Sequence, residues 1–408
     1  MKKSIKNLII IFFLGISSGL PIALILSTLK ALLVDKGFDM KTIGFFSLIS
    51  LPYTLKFCFA PIIDSCKVPF LTKIFGQRRS WIILTQLTLG LFISLLGIAG
   101  IMANLETIAI FSLLVAFASA SQDIVIDGYR IELVEKENQG FAASFYVYGY
   151  RIGMLISGAL ALALSDFVSW DAVYFIMAAI MFSMILILIF ADETRKDWVA
   201  KKQGFFPWFK SFVIDPFVDF THRKRWISII GFIICYKLAD AFAGNMTLPF
   251  LLEIGFSKLQ IASIVKTFGL FATLLGVFIG GVLIKKIGMV KSLWIAISAQ
   301  GISNLSFSYL SGIGNDTDLL YLVVFAENFS GGIGDAVFVA YLSNLCSINF
   351  SATQYAILAS FATLARSVLV SGAGIFAQDF GWYYFFIISA LLAIPSALLL
   401  ALISRDKN

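Results

Sequence analysis

Apolar positions in this chain neither alternate with polar ones nor form narrow stripes; they run on without a break. Runs of 18 or more recur from the first residues to the last, each long enough to cross a hydrocarbon layer of about 30 Å. They predict twelve spans, at 8–33, 43–63, 81–101, 107–131, 141–165, 172–191, 227–252, 259–284, 292–312, 319–346, 354–377 and 382–403. An all-α integral membrane protein follows, because a spanning helix satisfies its own backbone groups where water cannot. The long polar interval at 192–226 predicts an N-terminal six-helix half (1–191), a cytoplasmic linker and a C-terminal six-helix half (227–408). Lys2, Lys3 and Lys6 precede the first run as in a signal peptide. That run outlasts the usual apolar region and no small-residue cleavage site follows, so we read an uncleaved first span.

The polar interruptions carry the chemistry. Span four contains SASQDIVIDGYR at 119–130, with Asp123, Asp127 and Arg130 at i, i+4 and i+7 on one helical face. A charge at the centre of a spanning helix costs roughly 2.5–3.5 kcal/mol on insertion scales. Three on one stripe require protein partners or water. Ionisable residues also recur with a period of three spans. Spans one, four, seven and ten carry Lys30, Asp123 with Asp127, Lys237 with Asp240, and Glu327 with Asp335. Spans two, five, eight and eleven each carry one base: Lys56, Arg151, Lys266 and Arg366. The remaining four carry none. A polar pathway inside an apolar jacket produces this pattern.

Structural readings stand beside functional ones. Lys237 and Asp240 are spaced to neutralise each other, Lys30 is placed to snorkel, and Asp335 to bond the glycine-rich backbone of GGIGD. Folding spans four and five about residues 136–139 brings Asp123 and Asp127 to the depth of Arg151, as a clamp, a proton site or both. Gly19 and Pro21 in SSGLP mark either gating or close packing. Tyr53, Tyr129, Tyr146, Tyr148, Tyr150 and Tyr236 are candidates for stacking on a polar ring, or for anchoring at the interface.

The net charge of +7 changes the picture only through its location. With the N-terminus inside, nearly every loop Lys and Arg falls on the cytoplasmic side, leaving Lys36, Lys41 and Lys258 opposite. Both termini are therefore expected inside, and no nucleic-acid partner is implied. Cys58, Cys66, Cys235 and Cys346 are scattered and form neither a disulfide framework nor a metal site. The lone His222 lies in the linker, so any proton-coupled chemistry in the membrane falls to Asp123, Asp127, Asp240, Glu327 or Asp335. No Walker loop, G-x-S-x-G or His/Glu metal spacing occurs, so neither an ATP-driven pump nor an enzyme is indicated, and nothing calls for a cofactor or a metal. A channel would normally show a selectivity motif rather than a repeat.

The halves do repeat. ASF, Arg151, SGA and DF before Trp170 recur as ASF, Arg366, SGA and DF before Trp382, shifted by about 215 residues. APIIDS at 60–65 followed by GQRRSW stands where GGVLIKKIG stands at 280–288. Both resemble the loop signature of the major facilitator superfamily, with Asp64 as the acid of the first copy and Lys285 in that place in the second. That arrangement implies two six-helix halves and makes Asp64, Arg78 and Arg79 candidates for a conformational switch.

A closer resemblance rests on FLGISSGLP, TIGFFSLISLPYTLKFCFAPIIDS, FGQRRSW, ASQDIVIDGYR, GYRIGMLISGALAL, YKLADAF, GLFATLLG and SATQYAILAS. The chain resembles the AmpG muropeptide permeases, relatives of the acetyl-coenzyme A transporters. The resemblance implies a proton-driven importer of anhydro-muropeptides, working by alternating access in a bacterial inner membrane for cell-wall recycling. Its motifs carry over onto Gln122, Asp123, Asp127, Arg130, Tyr150, Arg151 and Gly153, and onto Lys237 and Asp240. The chain is expected to lack the extra C-terminal spans of some relatives. An amphiphilic anionic glycopeptide suits the inventory: Lys30, Lys56, Arg151, Lys237, Lys266 and Arg366 for carboxylates, tyrosines such as Tyr129 and Tyr150 for sugar rings, with Gln122 a further binding candidate. Acetyl-coenzyme A or another anionic metabolite would suit it too.

Overall fold

The computed structural model describes residues 2–195 and 204–405, without the side chains of residues 2, 3, 40 and 364–368. The side chain of Arg366 and linker residues 196–203 therefore lie outside the described residues. Every regular element among those described is helical. Among the described residues, nine helices are long and apolar enough to cross a membrane and match predicted spans one, three to eight, ten and twelve.

The other three depart for local reasons. Span two is a succession of short helices: Met40–Phe45, Phe46–Ser50, Leu51–Thr54, Lys56–Cys58 and Ala60–Ser65. Pro52 and Pro61 each stand in the first turn of one of them, where a missing N–H is tolerated and from which no helix continues backwards. Span nine is an unbroken helix, Met289–Ile313, diluted by serines, Gln300 and Asn304. Span eleven starts as Ser351–Val370. Gly381, at φ 71°, then breaks Ala373–Leu391, a conformation that glycine adopts without penalty.

The chain divides into two compact units. Unit one comprises Met1–Lys136, Phe145–Asp219 and Ser343–Ser360; unit two comprises Glu137–Ser144, Phe220–Leu342 and Phe361–Asn408. Unit one has a core of Leu20, Leu24, Leu29, Ile93, Val115, Tyr174 and Met177 among others. Lipid is as apolar as leucine, so burial alone does not hold spanning helices together; close contact does. Spans one and five supply it with interlocking small residues. A Cβ on Gly15, Gly19, Gly149 or Gly153 would collide with the backbone of the opposite helix. In unit two, Gly276 and Gly332 bring spans eight and ten together in the same way. An aromatic cluster of Phe242, Phe250, Phe307, Phe385 and Phe386 fills that unit's core.

Pro21 shapes the middle of span one. It gives no N–H to the carbonyl of Ser17 four residues back, and the helix widens into a π turn at Leu24–Thr28 just beyond it. Span four repairs the loss: the Gln122 side-chain amide donates to that carbonyl at 2.7 Å. Gln86 adds a bond to the Ser17 hydroxyl at 3.2 Å.

Candidate functional site

The stripe on span four is buried and paired within unit one. Asp127 lies between two cations, Arg130 at 3.3 Å one turn along its own helix and Lys56 at 3.9 Å from span two. Arg130 is wholly buried. Its guanidinium sits 5.2 Å from the Tyr146 ring centre and 5.4 Å from that of Tyr355, and it donates to the Ser343 hydroxyl at 2.9 Å. Its Nε has no acceptor among the described residues. Asp123 accepts from the Ser18 hydroxyl, which in turn accepts from the Tyr146 hydroxyl at 3.2 Å. The result is a chain Tyr146–Ser18–Asp123 alongside a charge triad Lys56–Asp127–Arg130. Tyr150 and Arg151 are half-buried one turn past Tyr146.

This arrangement is chemically versatile. Two cations share one carboxylate, so protonating Asp127 leaves both without a full counter-charge. An anionic solute group is the natural replacement, since Arg and Lys bind carboxylate and phosphate with charge-assisted hydrogen bonds.

A second network lies where the loops meet the helix ends. Arg78, wholly buried, bridges Asp64 and Glu132, each at 2.7 Å. It also donates to Ser351 at 2.9 Å. Ser351 bonds Glu132 at 2.5 Å, and Asp64 accepts from the backbone N–H and hydroxyl of Thr353 at 2.8 and 2.6 Å. Arg195 joins from beyond span six, 2.9 Å from Glu132 and 3.5 Å from Asp64. Glu193 caps the start of span three, accepting from the backbone N–H groups of Arg78 and Arg79 at 3.1 Å each. A carboxylate at a helix N-terminus is favourable on both hydrogen-bond and dipole grounds. The Arg79 guanidinium reaches the Leu188 carbonyl at 2.6 Å. Loop two–three, span four, the end of span six and the Ser343–Ser360 segment are thereby tied into one buried lock.

Unit two carries its own triad. Lys237 is 3.0 Å from Asp240 and 2.8 Å from Asp335, while Tyr236 donates to the Gly334 carbonyl at 3.2 Å. Lys237 and Asp240 pair as their spacing suggests, and Asp335 shares the same lysine. Glu327 is half-buried about two turns before Asp335. Lys266 is exposed on the π turn Ala262–Phe268, and Lys30 is exposed on span one. Two solute-binding candidates are committed elsewhere. Gln122 serves the Ser17 carbonyl, and the Tyr129 hydroxyl donates to the Asp192 carbonyl at 2.7 Å from a fully buried ring. Gly19 and Gly153 meet at the one–five contact, a Gly153 Cβ falling 3.1 Å from the Gly19 backbone.

Sequence reasoning missed Ser18, Tyr355, Ser343, Glu132, Glu193, Arg195 and Thr353. Glu132 offered a signal: an acid two residues past Arg130, at the end of an apolar helix. Ser18, Thr353 and Tyr355 lie within motifs of the family resemblance, but nothing in those motifs showed which partners they would meet.

Comparison with known proteins then places the chain among relatives. The family model described as Major Facilitator Superfamily matches residues 11–368 and 238–408. The anhydromuropeptide permease of Escherichia coli (strain K12) is 37% identical over 96% of this chain and 78% of its own length. A Rickettsia conorii protein carrying the name AmpG 4 is 35% identical over 98% of this chain and 96% of its own. In three dimensions, the crystal structure of the human organic anion transporter MFSD10 superposes with a TM-score of 0.72 at 16% identity, covering 97% of this chain and 99% of that one.

Proposed function

Since this chain belongs to the major facilitator superfamily and, within it, to the AmpG family of anhydromuropeptide permeases, we propose that it couples proton entry to the import of anhydro-muropeptides for cell-wall recycling. It is a multi-pass membrane transporter of a small-molecule solute, not an enzyme. Alternating access by two six-helix halves, 1–191 and 227–408, joined by the linker 192–226, is the mechanism that suits the internal repeat.

The observation that carries the reading is the triad Lys56–Asp127–Arg130. With Asp127 ionised the site is internally paired. Protonation from the outer side releases two cationic side chains, and the solute carboxylates take the place of the lost charge. Inward opening then exposes Asp127 to a proton-poor compartment, where it ionises and reclaims Lys56 and Arg130, expelling the anion. Proton and anion thus travel together. Asp123, held by Ser18 and Tyr146, is the second carboxylate on the path; Asp240, Asp335 and Glu327 play the corresponding part in the second half, with Lys237 as their base. Arg151, Tyr150, Lys266, Lys30 and Arg366 remain candidates for the solute's flank.

The lock of Asp64, Arg78, Glu132, Arg195, Ser351 and Thr353 is the cytoplasmic gate in this reading, and its bonds must break for the solute to leave. The positive-inside asymmetry supports a bacterial inner-membrane location with both termini cytoplasmic. Reconstitution tests the cargo. In liposomes with an imposed proton gradient, labelled anhydro-muropeptide should accumulate and labelled acetyl-coenzyme A should not. Accumulation of acetyl-coenzyme A alone would transfer the cargo to the anionic-metabolite alternative; accumulation of neither would end the muropeptide assignment.

A further inference from the structure

The linker contains a helix whose two faces are inverted relative to a helix in water. It runs as Phe205–Phe209, a π turn Lys210–Ile214 and Asp215–Thr221. One face points to the protein and is pinned by polar contacts. Trp208 donates to Ser65 at 2.8 Å, Gln354 donates to the Pro216 carbonyl at 2.9 Å and to Asp219 at 2.7 Å, and Ser347 donates to Asp219 at 2.6 Å. The opposite face is exposed and apolar: Phe205, Phe206, Phe209, Ile214, Phe217 and Val218, with Phe206 at 83%. Steps of three to five residues put these six on one stripe.

An aromatic stripe of this size is not left in water, and its position says what covers it. The pins fasten the helix to residues at the ends of spans two, ten and eleven, and only residues 222–225 separate it from span seven, which starts at Trp226. The helix is therefore tethered at the level where the spans leave the bilayer. Lys210 is exposed on it, and His222, Arg223, Lys224 and Arg225 follow directly. Phenylalanine on one face with a basic flank is the composition of a helix lying in an anionic headgroup layer.

We propose that Phe205–Thr221 is an interfacial helix, its phenylalanines inserted among the acyl chains of the cytoplasmic leaflet and its basic flank held by anionic phospholipid headgroups. Because its other face is bonded beside Asp64 at Ser65 and beside Thr353 at Gln354, the bilayer surface braces the gate directly. Only the naming of the leaflet rests on the orientation read above.

The test uses the full chain with its four native cysteines replaced by serine or alanine. Nitroxide is attached at Phe206→Cys, Phe209→Cys or Phe217→Cys, with the half-buried Ser211→Cys as the control. The labelled protein is reconstituted in phosphatidylcholine vesicles with and without phosphatidylglycerol. Relaxation by oxygen should exceed relaxation by a water-soluble nickel chelate at the three phenylalanine positions and not at 211. Phosphatidylglycerol should deepen that contrast, and the deepening should be lost in Lys210→Gln/Lys224→Gln. Nickel-dominated relaxation at 206, 209 and 217 would overturn the proposal. So would protection from both agents that grows with protein density, since a second copy would then cover the stripe. Depth is read without transport, so neither result depends on cargo or coupling.

Discussion

Asp64→Asn tests whether the lock around Arg78 is the gate proposed above. The Asp64 carboxylate is buried and bonds Arg78 at 2.7 Å and Thr353 at 2.8 and 2.6 Å. The amide keeps one acceptor for Thr353 but turns an N–H donor toward the Arg78 guanidinium. Hydrogen bonds to a charged group contribute about 1.5–3 kcal/mol each against about 0.5–1.5 for neutral ones, so the two Thr353 bonds together lose roughly 2–3 kcal/mol. Arg78 keeps Glu132, which holds the loss below the 3–5 kcal/mol or so of a fully broken buried pair. The closed gate is thus weakened by about 3 kcal/mol, on the order of a hundredfold in the open-to-closed ratio. Ser351→Cys on a cysteine-free background reports it, since the seryl oxygen lies inside the lock between Arg78 and Glu132. Labelling by a membrane-impermeant maleimide in inside-out vesicles should be tens of times faster with Asp64→Asn than without it. Equal rates in two well-folded variants would refute the gate.

Further outcomes follow from the packing. Gly149→Ala drives a methyl into the backbone of span one at Phe12 and Ile16, costing about 1–3 kcal/mol as overpacking, so the unfolding temperature of the detergent-solubilised protein should fall. Gly244→Ala, inside a helix with nothing within 4 Å, should not lower it, since alanine is the better helix former. Gln122→Leu strands the Ser17 carbonyl at a cost of about 1–3 kcal/mol. The same change in a Pro21→Ala background, where residue 21 can supply the N–H, should cost markedly less. Thermal unfolding of the four proteins gives the coupling directly. Equal losses in both backgrounds would break the link between Gln122 and Pro21.

The membrane-spanning character was legible because hydropathy and length act locally, and the Asp123–Asp127–Arg130 stripe because helical spacing is fixed at 3.6 residues per turn. Lys56 as partner of Asp127 was not. It sits where span two breaks into short helices around Pro52 and Pro61, so no periodicity predicts where it points. Arg78 stood out as a switch candidate through its loop motif, but nothing local showed that it is one of the most deeply buried side chains. Its burial depends on Asp64, Glu132 and Ser351 converging from segments up to 273 residues away. Gln122 carried a family motif but no sign of its duty to Ser17, which follows only once span one lies beside span four. The linker helix is hard to read for a different reason: its stripe is short, aromatic, interrupted by a π turn and set in an otherwise polar interval.

The central claim is that Asp127 carries the proton between Lys56 and Arg130. Asp127→Asn in liposomes tests it most directly, by measuring solute counterflow and gradient-driven accumulation in the same vesicles. The account predicts that counterflow survives, because the cations still bind the anion, while accumulation against the gradient is lost. Full gradient-driven accumulation by Asp127→Asn would contradict it.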